Sequence, residues 1–405
     1  MINHLHIDKV LPQDATQAML ITRAWVAGRG AVLVRVTPEA VIDISEVAPT
    51  CSELLELKGA AAKVRKATGA VATTDSKHLG NTAAILANSA QEARSTTLPW
   101  LMAPCDLQAI KAAGVTFVSS MLERVIEEQA KGDPTKADAV RQAVVAVIGD
   151  NLGKVVPGSP EAAKLKEVLI TQKMWSQYLE VGIGPDAEIF TKSQPMSAVG
   201  VGAEVGIHPK SHWNNPEPEI VLAVNSRGEI IGASLGNDVN LRDFEGRSAL
   251  LLGKAKDNNA STGIGPFIRL FDEHFTLDTV RTCELTVKVE GPDGFVMTGS
   301  SAISKISRTP EDLVGQAINA NHQYPDGFLL FLGTMFAPTQ DRPLPGKPAG
   351  EGFTHVVGDV VSVSTPALGC LVNRVNTTDK IAPWTYGVTA LMRDLARQAR
   401  QGRLA

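Results

Sequence analysis

From Val181 onward the chain is written largely in short apolar runs closed by turn residues, and this texture limits the possible folds more than any other feature. IVLAV (220–224), EIIGASL (229–235), CELTVKVE (283–290), FLLFLG (328–333), GDVVSVS (358–364) and LVNRV (371–375) all have strand length. In CELTVKVE the alternation is clean: Leu285, Val287 and Val289 share one face, because successive side chains of a strand point to opposite sides. Many short strands with few helices between them argue against a doubly wound parallel sheet, and for a mixed or antiparallel β architecture. Thr309-Pro310-Glu311-Asp312 has the cap–proline–acid order of a helix start. A last helix carries Arg393, Arg397 and Arg400, read as a solvated face.

The first half reads differently. AVLVRV (31–36) and VIDIS (41–45) are short strands joined through Thr37-Pro38-Glu39. Residues 71–97 are rich in Ala, Ser and Thr without strong periodicity, which sets an expected boundary near residue 100. Helical signals fill about 120–180: Asp133-Pro134-Thr135 precedes the run 137–148, and Ser159-Pro160-Glu161 starts another helix. A Pro/Gly-rich loop is expected from 337 to 352. The expected class is α+β, with a small N-terminal α/β domain (1–100) and a catalytic domain (101–405) that carries a helical insert near 121–180.

Bulk properties narrow the function. A chain of 405 residues with net charge −4 and 20% charged residues is an ordinary globular composition. It offers no basic field to gather nucleic acid or anionic lipid, and no run of 18 apolar residues suggests a membrane span. Cys51, Cys105, Cys283 and Cys370 are scattered without metal-ligand spacing, which fits reduced thiols and a cytoplasmic location.

The chemistry concentrates at Asn214-Asn215-Pro216-Glu217-Pro218-Glu219. Glu217 and Glu219, two residues apart at a strand entry, project to one face. Such close carboxylates repel, and a divalent cation is the economical neutraliser. All-oxygen ligation selects a hard ion, Mg²⁺, Mn²⁺ or Ca²⁺. A third carboxylate, Asp238, follows one hairpin later in the Gly236-Asn237-Asp238 turn.

These motifs resemble the fumarylacetoacetate-hydrolase superfamily. The resemblance rests on Glu217-Pro218-Glu219, Asn237-Asp238 with Arg242-Asp243, and Lys256 before Gly265-Pro266. It rests also on Ile189-Phe190-Thr191-Lys192, Phe331-Leu332-Gly333-Thr334 and Gly369-Cys370-Leu371-Val372-Asn373, all in the family's order. It implies a mixed β-roll catalytic domain in which Glu217, Glu219 and Asp238 hold Mg²⁺ while Lys192, Lys256 and Thr334 line the substrate site. It further implies a homodimer or homotetramer.

Hydrolases of the family carry a His–Glu pair that activates water. In the matching stretch, Gly114 to Glu123, Ser120 stands at the histidine position and Glu123 keeps the glutamate. A serine does not deprotonate water at neutral pH, so the hydrolytic machinery is broken. Glu245 stands where a substrate-binding Gln is common. These departures, with the helical insert, resemble the family's sugar-acid dehydratase branch, which converts a 2-keto-3-deoxypentonate to 2,5-dioxopentanoate. The implied roles are Glu123 as base at C3, Glu245 as acid at C4, Lys192 or Lys256 as a charge near the carbonyl, and Ser120, Lys256 and Thr334 as substrate contacts. Glu127, Glu128 and Lys192 are the next candidates for the base. An acylpyruvate or diketo-acid C–C hydrolase is the alternative. His208, His212 and His322 are read as structural, and Trp213 and Tyr324 as packing residues.

Overall fold

Alternation along the central strands explains the layers. Ile220, Leu222 and Val224 face one way, and Val221 and Ala223 the other; all five are fully buried. A strand apolar on both faces must be covered on both, and this one is. The computed structural model describes residues 1–69, 75–148, 155–171, 173, 175–336, 338–344 and 352–404. Ala337 and 345–351 of the expected Pro/Gly-rich loop lie outside the described residues, as do 71–74 of the Ala/Ser/Thr-rich stretch.

An eleven-stranded sheet is the backbone of the fold. Its order runs His78–Asn81, Ala40–Asp43, Gly30–Val36, Leu20–Val26, Thr262–Leu270, Ile230–Asp238, Pro218–Val224, Phe328–Phe331, Ala109–Ala113 and Ile189–Ser193, with Trp100–Met102 paired to Leu20–Val26. Neighbours are antiparallel except Phe328–Phe331 and Ala109–Ala113, which run parallel. A second, five-stranded sheet contains Glu284–Glu290, Val296–Ala302, Val360–Thr365, Gly369–Thr377 and Glu204–Ile207. In Glu284–Glu290 the residues Leu285, Val287 and Val289 are the buried ones, as the alternation predicts.

Ile220, Leu222, Leu235 and Phe267 of the large sheet and Val287, Val363 and Leu371 of the small one share a single core. The opposite face, with Val221, Ile264, Ile268 and Phe331, packs a second core with Leu54 and Leu55 of helix Cys51–Glu56 and Val64 of helix Ala60–Thr68. Strands on both sides of residue 100 share the large sheet through Leu20–Val26 and Thr262–Leu270.

The helical insert comprises Val118–Gln129, Pro134–Ile148, Pro160–Thr171 and Gln177–Ile183. It has its own apolar cluster, with Met121, Val125, Leu179 and Trp213. The expected caps form: Ser159 Oγ accepts from the Ala162 N–H (3.1 Å), and Thr309 Oγ1 from the Asp312 N–H (3.1 Å). Arg393, Arg397 and Arg400 on helix Val388–Arg400 are exposed. No helix among the described residues is long and apolar enough to cross a membrane. The α+β class stands, without a closed barrel among the described strands.

Candidate active site

Strand pairing brings the carboxylates together. Glu219 lies opposite Gly236, and the Asp238 N–H bonds the Glu217 carbonyl at 2.9 Å, so Glu217, Glu219 and Asp238 share one face at one end of the sheet. All three are buried, and one oxygen from each lies within 4.8 Å of the others. Gly236 is a close-approach position: a Cβ there would stand 2.3 Å from the Phe331 ring.

The next strand secures Glu219. After Phe328–Phe331 the chain turns at Gly333, φ +100°, where a Cβ would meet Thr116 Oγ1 at 2.0 Å. This turn aims the Gly333 N–H at Glu219 Oε2 (2.7 Å) and the Thr334 hydroxyl at Oε1 (3.3 Å). These are neutral donors. Burial, with Asp238 and Glu217 alongside, pushes the Glu219 carboxyl well above the usual range.

Glu217 has cations on both oxygens. Lys256, from the short helix Leu252–Lys256, donates to Oε2 (2.5 Å) and to Asp238 Oδ2 (3.0 Å), and Arg124 Nη2 donates to Oε1. Burial opposes ionisation of Glu217, but Arg124 and Lys256 prevail and hold its pKa at about 2. Lys192 is fully buried behind Asp238, 3.1 Å from Oδ1, and donates to the carbonyls of Lys256 (2.6 Å) and Ser261 (3.1 Å). It braces Asp238 and does not line the cavity, in contrast to the substrate-site position expected for it.

The cavity holds about 20 Å³ and is lined by these carboxylates with Ser120, Arg124, Glu188, Glu245, Lys256 and Thr334. Glu245, on the single turn Arg242–Glu245, is buried 3.3 Å from Arg124 Nη1. Burial raises its pKa to about 7 against the pull of Arg124 and Lys256. Ser120 is buried and donates to the Phe117 carbonyl (2.9 Å). Among the described residues no histidine lines the cavity: His208 is half-buried, and His212 and His322 are exposed. Trp213 packs under Arg242, and Tyr324 against Phe328.

Glu123 is not brought into this group. Its carboxylate takes bonds from Arg141 (3.1 and 3.0 Å) and lies 3.6 Å from Arg242. The helix presents Ser120 and Arg124, four residues apart, to the cavity, and turns position 123 to the flank. Glu127 is buried between Arg124 (2.6 Å) and Arg242 (2.8 Å), and Glu128 accepts from Ser176 and Gln177.

Two lining residues escaped the sequence reading. Arg124 follows Ser120 by one helical turn, a spacing that marks it once Ser120 is placed. Glu188 immediately precedes the Ile189–Lys192 motif. It is half-buried at the cavity rim, and among the described residues no hydrogen bond or ion pair closes on its carboxylate. Burial pushes its pKa above the usual range.

Comparison with known proteins bears on the family and the fold. Residues 180–376 match the family described as fumarylacetoacetate (FAA) hydrolase C-terminal. A 2-dehydro-3-deoxy-D-arabinonate dehydratase from Saccharolobus solfataricus is 29% identical over 194 residues, 48% of this chain and 60% of that protein. A protein named probable 2-keto-3-deoxyxylonate dehydratase from Haloferax volcanii is 26% identical over 274 residues, 67% of this chain and 87% of that protein. Among solved structures, the apo form of a 2-keto-3-deoxy-D-arabinonate dehydratase superposes with a TM-score of 0.58 at 19% identity, covering 89% of this chain and 99% of that one. A structure of a protein with that name complexed with magnesium and 2,5-dioxopentanoate gives the same figures. At that identity the structural likeness is one of fold.

Proposed function

We propose that this chain, whose residues 180–376 belong to the fumarylacetoacetate hydrolase family, is a divalent-cation-dependent hydro-lyase that converts a 2-keto-3-deoxypentonate to 2,5-dioxopentanoate and water. One observation carries the reading. A three-carboxylate cradle shares its cavity with Glu245, a carboxyl still able to give a proton near pH 7, and with Ser120, which the family resemblance puts at the position of the water-activating histidine. That set suits expulsion of a hydroxyl more than activation of water.

Glu217, Glu219 and Asp238 fit a hard cation, Mg²⁺ with Mn²⁺ or Ca²⁺ as substitutes. Their donors are all oxygen, they converge within 4.8 Å, and the raised pKa of Glu219 marks negative charge that the protein leaves under-compensated. Bound there, the cation supplies positive charge beside the 2-keto oxygen, where negative charge develops as C3 loses its proton.

The chain's own residues do the rest. Glu188, the lining carboxylate outside the cradle that no cation bonds among the described residues, takes the proton from C3. Glu245 donates to the C4 hydroxyl, which leaves as water, and a C3–C4 double bond forms. A proton then leaves C5 and one is returned to C3. The resulting C4–C5 enol gains a proton at C4 as its hydroxyl loses one, giving the aldehyde. Oxidation at C5 balances reduction at C4, so no redox cofactor takes part. Lys256 holds Glu217 and Asp238 in place, Lys192 braces Asp238, and Gly333 with Thr334 holds Glu219. The four cysteines are free and buried, which supports a reducing compartment such as the cytoplasm.

The test is incubation of the purified protein and Mg²⁺ with 2-keto-3-deoxy-D-pentonate, trapping the product as an aldehyde, beside a diketo acid under the same conditions. Aldehyde from the first and no cleavage of the second is the expected result. Cleavage of the diketo acid with no aldehyde would assign the C–C hydrolase activity instead.

A further inference from the structure

Both oxygens of Glu217 are taken by cationic side chains, Oε1 by Arg124 and Oε2 by Lys256. A divalent ion that binds Glu217 therefore meets a resident charge, and the two residents differ in what they have left. Among the described residues the Lys256 ammonium is ion-paired with Glu217 and Asp238 alone, two members of the same cradle. Arg124 also contacts two carboxylates outside the cradle: Nη1 lies 2.6 Å from Glu127 Oε2 and 3.3 Å from Glu245 Oε2. Arg124 can leave Glu217 and remain paired, so it is the one to yield.

We infer that Arg124 is a positioning residue that competes with the divalent cation for Glu217, swinging onto Glu127 and Glu245 when the cation binds. The inference rests on the proposed cation site. It makes the protein hold its own cation affinity down, and it ties loading of the cradle to helix Val118–Gln129, which carries both Arg124 and Glu127. The cavity's size agrees: about 20 Å³ accommodates one water or small ion, not a five-carbon acid, so a lining side chain must move before substrate enters. Arg124 is the long side chain with somewhere else to go.

The sign of one measurement separates this role from plain support of Glu217. Mg²⁺ is titrated by calorimetry into chelator-stripped protein, with no substrate and no turnover. Arg124→Met removes both the competitor and a like charge, and should tighten binding by about tenfold or more. Arg124→Lys keeps a charge but loses the fork that spans three carboxylates, and should tighten it less. Glu127→Gln removes an alternative partner, confines Arg124 to Glu217, and should weaken binding. If Arg124 merely held Glu217 in place, Arg124→Met would weaken binding or leave it unchanged, and that result overturns the inference while the cation site stands. If wild type and all variants fail to bind Mg²⁺, Mn²⁺ or Ca²⁺, the cation reading fails and this inference with it.

Discussion

In the proposed reaction the C3 proton has two candidate acceptors, Glu188 and Glu123, and their surroundings differ. A base must reach its proton before its pKa matters. Glu188 lines the cavity and, among the described residues, is bonded to no cation, whereas Glu123 is committed to Arg141. Exchange of C3 hydrogens of 2-oxobutyrate into D₂O, with Mg²⁺ present, separates the two. Glu188→Gln should slow exchange by roughly 10²–10⁴-fold and Glu123→Gln should leave it near wild type; the reverse order would return the role to Glu123. The acid is read by pH. With its pKa near 7, Glu245 is protonated below neutrality and ionised above it, so kcat should fall as pH rises through about 7. Glu245→Gln should abolish that limb along with most activity. Chelation with EDTA, or Glu219→Gln, should remove nearly all turnover, and re-addition of Mg²⁺ should restore only the chelated wild type. At this scale the cradle was legible, because E-x-E and a carboxylate one hairpin later are local signals. The surroundings of Lys192 and Glu123 were not, since which cation a buried carboxylate meets is decided by packing between distant segments.

Turns and caps do the positioning at the scale of elements. Gly333 gives a direct test: φ near +100° and a Cβ position 2.0 Å from Thr116 Oγ1 leave no room for a methyl group. Gly333→Ala should cost about 1–3 kcal/mol of stability and loosen the hold on Glu219, seen as a lower Tm and weaker Mg²⁺ binding. A second tie joins residue 342 to the start of strand Val360–Thr365: Arg342 bonds Asp359 at 2.7 and 2.9 Å, and His355 Nδ1 lies 2.9 Å from Asp359. Burial works against ionisation of Asp359, but His355 and Arg342 hold its pKa below the usual carboxylate value. A depressed folded pKa contributes stability above the unfolded value, lost as pH falls through the folded one. Arg342→Met should therefore lower Tm markedly at neutral pH, because Asp359 keeps only His355 and the Val356 N–H as partners, and the gap to wild type should narrow in acid. Strands such as Glu284–Glu290 were legible because alternation is written within them. Leu20–Val26 was not: Arg23 interrupts the apolar run, yet it is buried, donating to the Ala103 carbonyl at 3.0 Å.

Across the whole molecule, one sheet runs from residues 20–26 to 328–331 in space, and the largest core contains both Leu5 and Val375. Composition suggests a break near residue 100, but no local pattern reveals that Leu20–Val26 pairs with Thr262–Leu270. Single-tryptophan variants report on the two sides. Trp25, stacked with Trp100, and Trp213, in the helical insert's core, should lose their native signals in one coincident thermal transition. Two separate transitions would mean that residues 1–100 hold together on their own. The parallel pairing of Ala109–Ala113 with Phe328–Phe331 carries a consequence for how the molecule is made. Glu219 takes its hydrogen bonds from residues 333 and 334, and Phe328–Phe331 sits between two strands synthesised long before it. A growing chain therefore carries both neighbours through roughly a hundred further residues with that gap in the sheet unfilled, its edges open to wrong partners. The site can close only once residues 333 and 334 have left the ribosome.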